Sequence, residues 1–189
     1  MNALGLAVPR IPREEWTSHP RFRTQALLLG SHSNFRRVSR YLIEKASIEE
    51  FVGLHSLFDR WIAAMRSHEA YEERKLYPYL EYRWGVSLGE ARDGHDALHS
   101  RADEVVEAFR SLARPADSLE STELSKVNLV LGALEAHDHT LDAHLNLEEE
   151  AVIPLLLALS PEEFDRYYQS PLSLLIPAKR RTAKPQTRR

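Results

Sequence analysis

The amino-acid sequence predicts an all-α protein: an up-down-up-down four-helix bundle with a short extra C-terminal helix and a basic tail. Apolar residues recur at steps of three and four along most of the 189 residues, which is the period of an amphipathic helix. Glycine is scarce, at seven residues, and no hairpin dipeptide separates two runs that alternate as strands do. Short connections between the helical segments favour antiparallel packing of neighbouring helices.

The first two helices are expected at residues 21–46 and 48–77. Ser47 stands directly before the second of them and is predicted to be its N-cap. Glu50 follows three residues later, which is the spacing of a capping box. The sequence therefore predicts that the second helix begins immediately after Ser47.

The remaining helices are expected at residues 88–113, 121–159 and 161–169. The third helix is expected to end before Pro115, because proline has no backbone N–H to donate to the helical hydrogen-bond ladder. The short fifth helix begins with Pro161 in its first turn, followed by two acids, both of which are favourable at a helix N-terminus.

These helices predict one bundle domain at residues 21–169, an N-terminal extension at residues 1–20 and a disordered tail at residues 170–189. Residues 177–189 carry six basic side chains and no acid, in a chain whose net charge is −3. A solubilising tail is favoured over one that docks on nucleic acid or an acidic partner. The sequence contains neither a signal-peptide pattern nor an apolar run of membrane-spanning length, so a cytoplasmic protein without a membrane partner is expected.

The residue composition restricts the chemistry that the chain can perform. There is no cysteine, which excludes disulfides, zinc ribbons, iron–sulfur clusters and thiolate catalysis. Nine histidines and 28 acidic residues are the available metal ligands. A metal, if bound, is therefore held by imidazole and carboxylate groups.

Two helices carry the same motif. His68 and His144 are each followed at the fourth and fifth positions by Glu, and at the tenth by Pro. Residues four apart share one face of a helix, so His68 with Glu72, and His144 with Glu148, can both point into the core. The fifth-position residues, Glu73 and Glu149, fall off that line and are expected in solvent or behind the ligands. The prolines, Pro78 and Pro154, are expected to end or kink each helix.

The other two long helices, the first and the third, also carry histidines on their own apolar faces. The first contributes His32, and the third contributes His95 and His99 at a helical spacing of four. Buried His and Glu are costly unless they are paired or bind a metal, so four polar helix faces predict one shared site. Five imidazoles and two carboxylates suit two oxo- or hydroxo-bridged irons, with an open position for O₂ on one of them.

This doubled motif, with a His-bearing helix before each copy, resembles the hemerythrin-like HHE cation-binding family over roughly residues 32–156. The resemblance implies a di-iron centre and a protein that binds O₂, peroxide or nitric oxide for sensing, storage or detoxification. It carries the ligand roles onto the following residues of this sequence: His32, His68, Glu72, His95 with or without His99, His144 and Glu148.

Three functions stay open at the level of the sequence. The chain could bind and hold O₂, turn over peroxide, nitric oxide or an organic substrate as a di-iron oxidoreductase, or act as an iron- or oxygen-sensing interaction module. Tyr71 and His137 are the polar side chains expected near the open iron, although packing roles are at least as well supported. A zincin protease is disfavoured because Asp96 stands where the catalytic Glu of that motif belongs. Ferritin-like chemistry is disfavoured because no histidine has Glu three residues before it.

Overall fold

A computed structural model describes residues 7–113 and 123–176, and within these ranges every regular element is a helix. No helix of the described chain is long and apolar enough to cross a membrane. After a 3₁₀ turn at Arg13–Ser18, the elements are α1 (Phe22–Gln25), α2 (Leu28–Ser47), α3 (Leu54–Tyr71), a π-helical segment (Glu72–Leu76), α4 (Tyr77–Trp84), α5 (Gly89–Ala113), α6 (Glu123–Leu157), α7 (Pro161–Gln169) and α8 (Leu172–Leu175). The prediction of an all-α protein is confirmed, whereas the up-down-up-down order stays a prediction.

The connection between α2 and α3 corrects the expected N-cap. Ser47 is the last residue of α2, and its hydroxyl donates to the carbonyl of Glu44 at 2.7 Å instead of capping α3. Glu49 (φ 60°) and Gly53 (φ 74°) adopt left-handed conformations in the loop that follows. Because left-handed backbone interrupts a right-handed helix, α3 begins only at Leu54.

The two motif prolines do not end their helices, and the alternative expectation of a kink stays a prediction. The segment Glu72–Leu76 is π-helical, and the backbone N–H of Tyr77 donates to the carbonyl of Glu72. The wider turn precedes Pro78, and α4 then continues to Trp84. Pro154 lies inside α6, which ends at Leu157. A π-bulge inserted into a helix is frequent at functional sites.

The later helices agree closely with the expected ones. The third expected helix is α5, and the fifth is α7 over the same residues. The Ser160 hydroxyl accepts from the Glu163 backbone N–H at 3.2 Å, while the Glu163 carboxylate accepts from the Ser160 N–H at 3.0 Å. This capping box fixes the start of α7. The predicted start of α6 at residues 121–122, and the basic residues 177–189, lie outside the described residues.

The chain divides into two compact units. The first unit comprises the described parts of Met1–Leu29, Glu69–Arg92 and Glu148–Arg189, and its core includes Tyr77, Leu80, Ile153, Leu157 and Tyr167. Ile176, the last described residue, is also buried, at 4% exposed. The second unit comprises Gly30–His68 and Asp93–Leu147, with a core that includes Leu42, Phe58, Leu98, Val130 and Leu141.

Candidate metal centre

Two pairs of histidine rings lie inside the second unit. His32 on α2 and His68 on α3 meet edge to face, with ring centroids 5.4 Å apart. His95 on α5 and His144 on α6 meet in the same way, with centroids 4.9 Å apart. His32, His95 and His144 are buried, and His68 is partly buried with the Phe35 ring 5.2 Å away. The sequence predicted all four as metal ligands, and the structure joins them in two pairs.

A buried carboxylate follows each motif histidine by one helical turn. Glu72 is 1% exposed and Glu148 is 0% exposed. One ligand atom each from His32, His68 and Glu72 lies within 4.8 Å of the others. Two ligands of one ion, each at about 2 Å, can be separated by about 4 Å, so small side-chain movements suffice for all three to reach one ion. The donor set of imidazole and carboxylate fits iron.

Glu148 is oriented by a phenol that the sequence did not single out. The hydroxyl of Tyr77 donates to Oε1 of Glu148 at 2.7 Å inside the first unit. Burial, followed by the negative charges of Glu148 and Glu72, holds the pKa of Tyr77 far above its usual value. Tyr77 is therefore a permanent hydrogen-bond donor, and a carboxylate held in this way is preorganised as a ligand.

The next carboxylate along α6 is also paired. Glu149 is buried, and it forms an ion pair with Arg13, which also contacts Glu150 at 3.0 Å. Glu73, the equivalent residue in the other motif, is exposed. The two fifth-position acids thus differ: Glu73 is in solvent, whereas Glu149 anchors the N-terminal 3₁₀ turn to α6.

Gly94 is a second residue that the sequence did not single out. A Cβ atom placed on Gly94 would lie 2.3 Å from Nδ1 of His144 and 3.1 Å from its Cγ. The imidazole of His144 therefore packs directly against the backbone of α5, one residue before His95. A glycine in a helix interior, adjacent to a candidate ligand, is the only sequence signal that could have indicated this contact.

The other candidate residues occupy different environments. His99 is only partly buried, and it is His95 whose ring meets His144. Tyr71 is 40% exposed, and its hydroxyl shares a hydrogen bond with that of Tyr167; burial is the main cause that raises its pKa. His137 is buried in the second unit, where its ring contacts those of Phe58 and Trp61, neither of which is a candidate metal ligand.

These features define an all-helical protein with buried histidines and carboxylates that can hold a cation. The sequence-family model of the hemerythrin HHE cation binding domain matches residues 24–156. This match covers more than half of the chain, so the protein belongs to this family. Comparisons with curated proteins and with solved structures gave no match. The family confirms the resemblance drawn from the doubled motif and supports metal binding.

Proposed function

We propose that this protein holds a non-haem di-iron centre that binds O₂, or a related diatomic or peroxide. The observation that carries the proposal is the repetition of one arrangement: two histidine pairs, each with a buried Glu one turn beyond its motif histidine. One half of the centre comprises His32, His68 and Glu72. The other half comprises His95, His144 and Glu148, with His99 as a fifth imidazole.

The number of donors favours two ions over one. An iron ion accepts about six ligands, and seven candidate donors exceed one coordination sphere. The two motifs also lie on different helices, α3 with its π-helical continuation and α6. Each motif would supply one imidazole and one carboxylate, one motif to each of two ions, and His99 would make the donor set of one ion larger than that of the other.

When bound, iron would supply the electrons and the Lewis acidity for oxygen chemistry. The residues of this chain orient the ligands and exclude water. Tyr77 fixes the carboxylate of Glu148 by hydrogen bonding, and the backbone at Gly94 leaves room for the ring of His144. The Phe35 ring lies 5.2 Å from that of His68, and Phe35 belongs to an apolar core that also includes Leu98 and Leu141. A water-poor site strengthens the electrostatic interactions inside it.

A catalytic role is the second candidate function, and the tyrosines favour it. Tyr77 donates to a proposed ligand, and Tyr71, next to Glu72, bonds Tyr167. Of these phenols, Tyr71 could donate a hydrogen bond or an electron to a reactant held beside Glu72, which would promote turnover of peroxide over its retention. Multiple turnovers of peroxide by the iron-loaded protein would therefore assign an enzyme, and a single stoichiometric reaction would assign a binding protein.

The test uses the two adjacent acids of the first motif as a matched pair. Glu72 is buried and Glu73 is exposed. The metal-free protein and its Glu72→Ala and Glu73→Ala variants would be loaded with ferrous iron without oxygen, and absorption spectra recorded before and after exposure to air. The wild type and Glu73→Ala should change their spectra on oxygenation, whereas Glu72→Ala should lose iron and the spectral change. An unchanged response in Glu72→Ala would contradict the assignment.

A further inference from the structure

Two polar side chains lie deep in the core of the second unit, away from the histidine pairs. Trp61 on α3 is 5% exposed, and His137 on α6 is 1% exposed. Their ring centroids are 5.2 Å apart, with the rings inclined at 61°. Phe58 contacts both rings, with centroids 5.8 Å from each. The surrounding core is apolar and includes Met65, Leu134 and Leu141.

Each of these side chains has a buried polar atom with no hydrogen-bond partner among the residues that the structure describes. The atoms are Nε1 of Trp61 and Nε2 of His137. Burying a polar group without a partner is unfavourable, and buried polar groups in native proteins are usually satisfied by protein or by ordered water. Two such atoms on neighbouring rings are groups whose hydrogen bonds a small polar molecule could complete.

The two atoms have complementary hydrogen-bonding chemistry. An indole Nε1–H can only donate, whereas one nitrogen of a neutral imidazole accepts. Burial lowers the pKa of His137 to about 4, with Asp138 opposing the shift, so the imidazole is neutral at pH 7. A ligand that accepts from Trp61 and donates to His137 must carry both an acceptor and a donor, as the hydroxyl group of a small molecule does.

The position of the pair relates it to the motif histidines. Trp61 stands seven residues before His68 on α3, and His137 stands seven residues before His144 on α6. Seven residues are nearly two turns, so both side chains lie on the faces of the motif histidines, about 10 Å before them along each helix axis. This separation is too great for either side chain to share an ion with the motif histidine of its own helix.

We propose that Trp61 and His137 form a buried binding station for one small hydroxylic molecule, either water or hydrogen peroxide. The indole N–H of Trp61 donates to an oxygen of this molecule, and a hydroxyl of the molecule donates to Nε2 of His137. The station requires no metal, so it can be tested independently of the di-iron proposal. Because it lies on the same helix faces as the motif histidines, it could hold a reactant or product of the metal centre.

The experiment uses the metal-free protein, so that peroxide is not consumed. The probe is hydrogen peroxide, titrated while the three tryptophan indole N–H signals are followed by ¹⁵N–¹H NMR. Trp16 provides an internal control, because its Nε1 already donates to the carbonyl of Ile11 at 2.8 Å. Trp61→Phe assigns the Trp61 signal. A second spectrum, with transfer of magnetisation from water, detects a long-lived water at the same N–H.

A saturable shift of the Trp61 signal, with Trp16 unchanged, would support the station with peroxide as its ligand. No shift, but a direct transfer from a bound water to the Trp61 N–H, would support the station with water. Either response should weaken at least tenfold in His137→Leu, while His55→Leu, at a partly exposed ring on α3, leaves it intact. Absence of both responses in the wild type would overturn the proposal, whether or not the variants fold.

Discussion

Replacing Gly94 by alanine tests whether the close contact between the His144 ring and α5 matters for stability, apart from the effect of the substitution on helix propensity. Alanine is favoured over glycine in a helix interior by about 0.5–1 kcal/mol, so on propensity alone Gly94→Ala would stabilise α5. The new Cβ would, however, lie 2.3 Å from Nδ1 and 3.1 Å from Cε1 of His144, where ordinary contacts begin at 3.4 Å. The ring of His144 must therefore retreat by about 1 Å.

Gly132→Ala is the matched control for this substitution. Gly132 lies inside α6, and a Cβ there would have no atom of the described chain within 4 Å. Both variants gain the same helix propensity, so the difference between them isolates the overpacking at His144. Overpacking a filled core costs about 1–3 kcal/mol, and we expect Gly94→Ala to be less stable than Gly132→Ala by that amount. For a chain of this size the corresponding difference in Tm is about 2–4 °C per kcal/mol.

The assay combines urea unfolding of the metal-free proteins, followed by circular dichroism, with iron analysis after ferrous loading. Gly132→Ala should be at least as stable as the wild type and bind the same amount of iron. Gly94→Ala should lose stability relative to that control and bind iron at least tenfold more weakly, because His144 no longer occupies its position. Equal stability and equal iron binding in the two variants would refute the account of this contact.

Three further predictions follow from individual contacts. Tyr77→Phe removes the hydrogen bond to Glu148 and should weaken iron binding by about 10–100-fold, as measured by competition with a chelator; unchanged affinity would show that the phenol does not orient the carboxylate. His137 has a folded pKa of about 4, so the unfolded state binds more protons between pH 6.5 and 4, and stability should fall as the pH falls through this window. Between pH 7 and 5 the wild type should lose about 2 kcal/mol more of its free energy of unfolding than His137→Leu does. An identical pH dependence of stability in the wild type and His137→Leu would contradict this. Arg13→Gln should destabilise the protein by about 1–3 kcal/mol in urea unfolding, because Glu149 is buried, whereas Glu150→Gln at the exposed partner should change stability by less than about 1 kcal/mol.

Local periodicity explains why much of the candidate site could be predicted from the sequence. The spacing of four between His68 and Glu72 determines a shared helix face regardless of the rest of the fold. The same is true of His144 and Glu148. The signals at the start of α7 are equally local, since Ser160 and Glu163 cap the helix through their own backbone groups. Such features need no knowledge of tertiary contacts.

The features that the sequence did not indicate depend on residues distant along the chain or on backbone conformation. The ion pair of Arg13 with Glu149 joins positions 136 residues apart, and no local pattern connects them. The importance of Gly94 depends on the ring of His144 from another helix. The late start of α3 follows from the left-handed conformation of Glu49, which glutamate rarely adopts, so the capping pattern at Ser47 was misleading.

The most direct test of the di-iron account is the number of irons that each chain binds. Metal-free protein would be loaded with ferrous iron under anaerobic conditions, separated from unbound metal, and measured for iron and protein content, together with His32→Ala and the matched exposed-site variant His139→Ala. About two irons per chain are expected in the wild type and in His139→Ala, where the replaced side chain is exposed, with a reduced number in His32→Ala. A wild-type protein that binds one ion or none, or a His32→Ala variant with the full number, would contradict it.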